Sequence, residues 1–328
     1  MIRRLFPRTA AAALGLWLFA AGAGAADWPQ RSVRIVVSAP AGSSVDIVAR
    51  VLAEGLRQQW RQAVVVDNKP AAGGTRGGAE VARSAPDGYT LFLGYNGPLA
   101  TAPALYARPG YDVAKDFVPV VLTGSQPNLL VVNAALPVSD LGELIAYARS
   151  HPGKLNYASV GNGSSSHLAM EMLKQRTGVD IVHVPFNGGP PATQAVIGGD
   201  VQLLFAAPSN LLALVRAGRL KAIAVTGLKR FAPAPDVPTV AEQRVPGLGD
   251  FEAIAWNGLV APAATPVSLV HRINSDVNAL LASTAVRKKL FDAGIEAGGG
   301  TEAAFRELIA AETRKWREVI RVTGAMLD

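Results

Sequence analysis

Two short serine-bearing turns hold the residue types best suited to chemistry. One is Ala41-Gly42-Ser43-Ser44 with Asp46 behind it; the other is Gly161-Asn162-Gly163-Ser164-Ser165-Ser166-His167. Each separates an apolar stretch from a helical pattern, which after the first turn runs through Ile47, Val48, Val51, Leu52 and Leu56. A serine there accepts a hydrogen bond from one amide of the first helical turn. Other amides stay unpaired at the positive end of the helix dipole. The chemistry such a turn can do is capture of an anion by main-chain N–H groups. Asp46 also sits where a capping-box partner would, so a plain cap is the structural alternative. Two starts of one design, about 120 residues apart, suggest jaws closing on a single ligand, with Asp46 expected to face the cleft.

Covalent chemistry has weaker support. Ser164 to Ser166 beside His167 resemble a nucleophile with its base, but adjacent helix-start positions point in different directions and no G-x-S-x-G elbow is present. An exported serine hydrolase acting on small esters is therefore the alternative, and the expectation is no catalytic residue. The four histidines, His151, His167, His183 and His271, are scattered without H-E-x-x-H spacing, so no metal and no cofactor are expected. The glycine-rich run at 73–78 fits neither a dinucleotide fingerprint nor a P-loop. Arg76 within it reads as a solvated loop residue, and Tyr89 and Trp256 as core. Tyr95 and Asn96, at a strand's carboxyl end, are cleft candidates.

The elements that must position these turns alternate along the chain. Strands are expected over 33–37, 64–66, 89–93, 118–122, 128–132, 155–160, 179–184, 201–205, 220–226 and 251–260. Helical patterns follow Ser43, lie near 77–83, follow the Ser139-Asp140 cap, end before Gly178, and cover 192–197 and 209–217. Thr265-Pro266 opens another with proline at its first position, and Thr301 caps the last, whose stripe is Phe305, Leu308, Ile309, Trp316, Val319 and Ile320. Alternation of this kind makes an α/β protein with largely parallel sheets, whose ligands lie beyond the carboxyl ends of strands.

Composition narrows the function classes. The 328 residues are 49% hydrophobic and 17% charged, enough for a large core divided over about two domains. Residues 1–26 read as a signal peptide: Arg3, Arg4 and Arg8, a short apolar run, then small residues, with cleavage near Ala25 or Ala26. Three of the 32 Lys and Arg and none of the 25 Asp and Glu lie in that leader, so the formal charge falls from +7 to +4. The remaining charge is spread out, without basic runs carrying aromatics, which excludes nucleic acid as an expected partner. There is no cysteine, so neither disulfides nor thiolate chemistry enters.

The stretches PAGSSVDIVAR at 40–50, PDGYTL at 86–91, KLNYAS at 154–159 with Gly163, Ser164, His167 and Leu168, HVPF at 183–186, LKAIAVT at 220–226, DVPTV at 236–240 and WNGLVAPAATP at 256–266 are each weak signals. In this order and spacing the chain resembles the Bug family, the extracytoplasmic solute-binding receptors of tripartite tricarboxylate transporters. The resemblance implies a type II-like, two-lobed periplasmic binding fold with a mainly parallel sheet per lobe and a cleft between. Lobe one would be 27–128 plus 249–328, completed by the C-terminal helices; lobe two would be 129–248.

It also implies that a ligand carboxylate is held by backbone groups and water from loops matching 41–46 and 161–165, with further lining from 94–98 and 186–189. The expected ligand-binding set is thus Ala41, Gly42, Ser43, Ser44, Asp46, Tyr95, Asn96, Ser159, Gly161, Asn162, Gly163, Ser164, Ser165, Phe186, Asn187, Gly188 and Ala206. The position of Asp46 can contact an amino or hydroxyl group in the family. Ser43 stands where a second glycine is common, Asn187 where lysine often follows the aromatic, and Ala206-Ala207 where an acid or amide is usual. The loss of that polar group at Ala206-Ala207 makes the far side of the pocket more apolar, which disfavours an amino acid and favours an organic acid with an apolar or aromatic body, dicarboxylic acids included. The implied partners are that ligand and membrane permease subunits. A monomer in the periplasm is expected, and a sensor passing the ligand signal to a membrane partner is the remaining alternative.

Overall fold

The computed structural model describes residues 28–70 and 72–324; the leader expected at 1–26 lies outside them. The first sheet contains β1 (Val33–Val37), β2 (Val64–Asn68), β3 (Thr90–Tyr95), β4 (Phe117–Pro127), β10 (Ile254–Pro262) and β11 (Glu296–Ala297), in the order β11-β4-β10-β3-β1-β2. The second contains β5 (Leu129–Asn133), β6 (Asn156–Ser159), β7 (Val182–Pro185), β8 (Leu203–Ala206) and β9 (Leu220–Val225), in the order β7-β6-β8-β5-β9.

The helices are α1 (Ser44–Trp60), α2 (Thr75–Ala82), α3 (Ala102–Leu105), α4 (Val113–Asp116), α5 (Leu141–Ser150), α6 (Ser165–Thr177), α7 (Gly189–Gly198), α8 (Pro208–Arg216), α9 (Val267–Ala282), α10 (Thr284–Asp292) and α11 (Glu302–Thr323). None among the described residues is long and apolar enough to cross a membrane.

The α/β, two-lobed architecture is as the residues imply, but the sheets are mixed rather than mainly parallel. β1 pairs in parallel with β2 and β3, whereas β10 runs antiparallel between β3 and β4. Likewise β6 is parallel to β7 and β8, while β5 is antiparallel to β8 and β9. The cause is the chain path: β5 and β10 are the first strands after a crossing from one sheet to the other, so they enter from the opposite end. β4 also runs to Pro127, further than its apolar segment predicts, because its last residues pair with β10 and β11.

Alternation along β1 sends Ile35 and Val37 to one core with α1 and α9, and Val36 to another with Phe92, Phe117 and Phe305. The second sheet is likewise covered on both faces. The 22-residue α11, about 33 Å long at 1.5 Å per residue, does not stay with one sheet. Phe305 and Ile309 enter the first sheet's core, while Trp316, Val319 and Ile320 pack with α6 residues in the second sheet's core. α11 thus straps both sheets. Pro266 is the N-cap of α9 (φ −53, ψ 135) and not its first helical residue. α10, β11 and the short turns of helix at 97–105 and 113–116 lack a periodic pattern long enough to read.

The two crossings lie side by side. Asn128 donates from its main chain to Thr226 Oγ1 (2.8 Å) and from Nδ2 to the Ala253 carbonyl (3.0 Å), which also accepts from Thr226 Oγ1 (2.7 Å).

Candidate functional site

At the α1 start, Ser43 is the N-cap and its Oγ accepts from the Asp46 amide at 3.3 Å. The Ile47 amide donates to the Ser43 carbonyl at 2.9 Å. The amides of Ser44 and Val45 engage no partner among the described residues, and both residues line a cleft of about 1010 Å³ between the two sheets. Gly42, at φ +78, supplies the left-handed turn that an alanine would resist.

The α6 start has the same construction. Ser164 is the N-cap, accepting from the His167 amide at 3.3 Å, and the Ser165 and Ser166 amides are left over. The serine hydroxyls themselves are spent. Ser164 Oγ donates to the Gly161 carbonyl (2.6 Å), Ser165 Oγ to Asn128 Oδ1 (3.2 Å), and Ser166 Oγ to the Phe205 carbonyl. His167 Nδ1 accepts from the Gly163 amide at 3.1 Å. No triplet hydroxyl is therefore bonded to a base, and the nucleophile alternative loses its geometry. Ser159 does face His183 Nε2 at 2.7 Å, but it is fully buried and off the cleft.

Of the expected set, Ser43, Ser44, Tyr95, Asn96, Gly161, Asn162, Ser164, Ser165, Phe186, Asn187, Gly188 and Ala206 line the cleft. Ala41, Gly42, Ser159 and Gly163 do not; they shape the turns behind it. The expectation that Asp46 faces the cleft fails. Its carboxylate is buried and accepts from the Gly42 amide (2.9 Å), Arg50 Nε (2.9 Å) and Asn68 Nδ2 (3.0 Å). Burial raises its pKa, but those three donors outweigh burial and hold it below the usual carboxylate value. Asp46 thus braces the turn, and through Asn68, whose Nδ2 also donates to the Ala39 carbonyl (2.9 Å), the neighbouring wall.

Sequence reasoning missed Asn68, Lys69, Tyr106, Gln126, Asn128 and Asn257, all of which line the cleft, and set aside Arg76 and Trp256, which line it too. Only the carboxyl-end position of Asn68 and Gln126 on their strands carried a signal. Tyr95 and Asn96 are largely structural: Tyr95 donates to the Gly73 carbonyl (2.8 Å) and Asn96 to that of Ile254 (3.1 Å). Among the described residues no aspartate or glutamate lines the cleft, whereas Lys69 and Arg76 do. Among the described residues, no group of three acidic, histidine or cysteine side chains is placed to hold a metal ion.

Behind the cleft, the α6 loop meets the helical turns at 97–105 through glycine. A Cβ on Gly163 would sit 2.4 Å from Leu105 Cδ2 and 3.1 Å from Thr101 Oγ1, and Thr101 Oγ1 donates to the Gly163 carbonyl at 2.9 Å. Gly163→Ala is expected to destabilise by about 1–3 kcal/mol more than Gly178→Ala through overpacking. Gly178 has a similar φ, +69, but open space around it. Equal melting temperatures for the two variants would show that this inter-sheet contact is slack.

A family profile described as tripartite tricarboxylate transporter family receptor matches residues 48–325. The chain is 36% identical over 321 residues to Protein BugT of Bordetella pertussis, covering 96% of this chain and 98% of that one. Among solved structures it is similar to Rpa4515 of R. palustris with adipate (37% identity, TM-score 0.86, 91% and 99% of the two chains). It is also similar to MatC (Rpa3494) of Rhodopseudomonas palustris with bound malate (34% identity, TM-score 0.82, 89% and 100%).

Proposed function

Because the chain belongs to the tripartite tricarboxylate transporter receptor family, a family of solute-binding receptors and not enzymes, we propose that it captures a small organic acid in the cleft for delivery to a membrane permease. The acid's carboxylate lies between the α1 and α6 starts, held by main-chain donors and water. The observation that carries this reading is the pairing of two serine-capped helix starts, each with two amides unpaired among the described residues, over a cleft that Lys69 and Arg76 line and, among the described residues, no carboxylate does. Hydrogen bonds to a charged group contribute about 1.5–3 kcal/mol each, and micromolar affinity needs about 8 kcal/mol. Three of those amides, on Ser44, Val45 and Ser165, belong to residues that line the cleft, and with burial of the acid's apolar body they reach that range with no buried cation. Arg76, free of ion pairs among the described residues, adds positive potential at the cleft that steers anions inward. Pro40, Phe186, Ala206, Ala207 and Trp256 provide apolar wall for the body of the acid.

The relatives bound to adipate and malate point to a short dicarboxylate. Export, with the leader cut near Ala25 or Ala26, places the receptor in the periplasm. A thermal-shift screen over mono-, di-, tri- and aromatic carboxylates, adipate and malate among them, tests the reading. A cognate acid at a hundred times its Kd adds about 2.7 kcal/mol of stability and a saturable rise in Tm. A panel without any saturable shift would sink it.

A further inference from the structure

A second concavity of about 580 Å³ lies between α11 and the chain from Pro103 to Pro119, a volume within the range that small-molecule sites occupy. Tyr106 separates it from the cleft: its hydroxyl lies against Gly73 on the cleft side, and the residue lines both spaces. The floor of this groove is core. Tyr111, Phe117, Val260 and Ile309 are buried with the first sheet and still line it. Ala310, exposed on α11, is too small to fill the space above them.

One face of α11 adds charge to that apolar floor. Arg306, Ala310, Thr313 and Arg317 all line the groove, at the three- and four-residue spacings of a single helical face. The two arginines stand about 16 Å apart at 1.5 Å per residue, with Ala310 and Thr313 between them. Both are exposed, and neither makes an ion pair or hydrogen bond among the described residues. Asp112, the one carboxylate that lines the groove among the described residues, is already engaged. Its Oδ1 accepts from the Ala114 and Lys115 amides (3.0 and 3.3 Å), and Lys115 Nζ lies 3.3 Å from its Oδ2. The hydroxyls of Thr313 and Tyr111 are spent on the carbonyls of Ile309 and Pro98, each at 2.7 Å. What α11 and the floor have left to offer a ligand is apolar surface and two guanidinium groups.

We propose that this groove is a second ligand site, separate from the cleft, which takes an amphipathic carboxylate of the fatty-acid type. The alkyl chain lies on Tyr111, Phe117, Val260 and Ile309, and the head group meets the arginine-bearing face of α11. An acceptor-only head suits guanidinium donors, whereas a cationic head would face two like charges. The body must be apolar, because the buried floor would strip water from a polar one without replacing its hydrogen bonds. The site stands whether or not the receptor reading of the cleft holds.

Isothermal titration calorimetry with octanoate and decanoate, below their micelle concentrations, tests the site on four proteins: the wild type, Ala310→Trp, the double variant Arg306→Gln/Arg317→Gln, and Ser44→Pro. Each buried CH₂ tightens binding about fourfold, so decanoate is expected to bind the wild type about 15-fold more tightly than octanoate. Ala310→Trp fills the groove from an exposed helix position and is expected to abolish decanoate binding with Tm retained. The arginine variant weakens decanoate about 5-fold, the value of one exposed ion pair. Ser44→Pro, which deletes a cleft amide, leaves decanoate unchanged. No gain from octanoate to decanoate, retained binding in Ala310→Trp, or full affinity in the arginine variant overturns the site. Weakening by Ser44→Pro but not by Ala310→Trp assigns decanoate to the cleft, which overturns the site and leaves the receptor reading standing. A wild type that binds neither acid overturns the site whatever the carboxylate screen shows for the cleft.

Discussion

Ser44→Pro should weaken carboxylate binding about 10- to 150-fold, one hydrogen bond to a charged group, with the melting temperature nearly unchanged. Ser44 is the first helical residue of α1, its amide has no partner among the described residues, and it lines the cleft. Proline is favoured at that position, where its missing N–H costs the helix nothing. The residue before a proline must be extended, and Ser43 already is, at φ −73 and ψ 163. The substitution therefore deletes one donor and little else. Ser44→Ala is the control: it keeps the amide and removes the hydroxyl, so its affinity should match the wild type. Calorimetry with the best acid from the carboxylate screen reads the difference. Equal losses in the two variants would assign the contact to the hydroxyl. No loss in Ser44→Pro would remove the α1 start from the site.

Acid should destabilise the protein through a histidine pair behind the α6 loop. The rings of His167 and His183 stack at 4.1 Å between centroids, and Tyr157 stacks on His183 at 4.7 Å. Around them Glu171 accepts from the Tyr157 hydroxyl (2.7 Å) and from Lys174 Nζ (2.8 Å). Burial, with Lys174 adding to it, pushes the His167 pKa down to about 4. Burial first, then the His167 and Lys174 charges against the opposing pull of Glu171, push His183 to about 3. Both are neutral in the native state, and neutral His167 accepts the Gly163 amide that fixes the loop.

The unfolded chain takes up these protons near pH 6.5, so below that value it binds more protons than the native state. Stability is then full above about pH 6.5 and falls as pH drops, by about 1.4 kcal/mol per unit for each histidine. For His167 alone the loss reaches about 3 kcal/mol at its folded pKa. Urea titrations at pH 7.5, 6.0, 5.0 and 4.5 measure it. His167→Asn, which cannot titrate, should flatten part of the slope. A wild-type profile that is level over this range would contradict a neutral histidine pair of which His167 is buried and His183 partly so.

How much of the site was legible follows from the range of the interactions that build it. The serine caps at 43 and 164 rest on bonds to amides three residues away, so type and spacing were enough to find both helix starts, and their amides needed no further information. Asp46 carried the same local signal, yet its direction depended on Asn68, 22 residues on, and on Arg50. A local pattern could not separate a ligand contact from a brace. Alternating apolar segments were enough for an α/β protein. The antiparallel entries of β5 and β10 were not readable, because strand direction follows from where the chain crosses between sheets.

By itself, then, the sequence determined the class of the protein, the two anion-seeking turns and the family motifs, all written in residue identity at short range. Only the tertiary structure decided that Ser44 and Ser165 share one cleft, that α11 straps both sheets, and that Gln126, Asn257 and Tyr106 meet the same space. Those residues lie up to 213 positions apart (Ser44 to Asn257). Their meeting is set by sheet order and register, which no local spacing encodes.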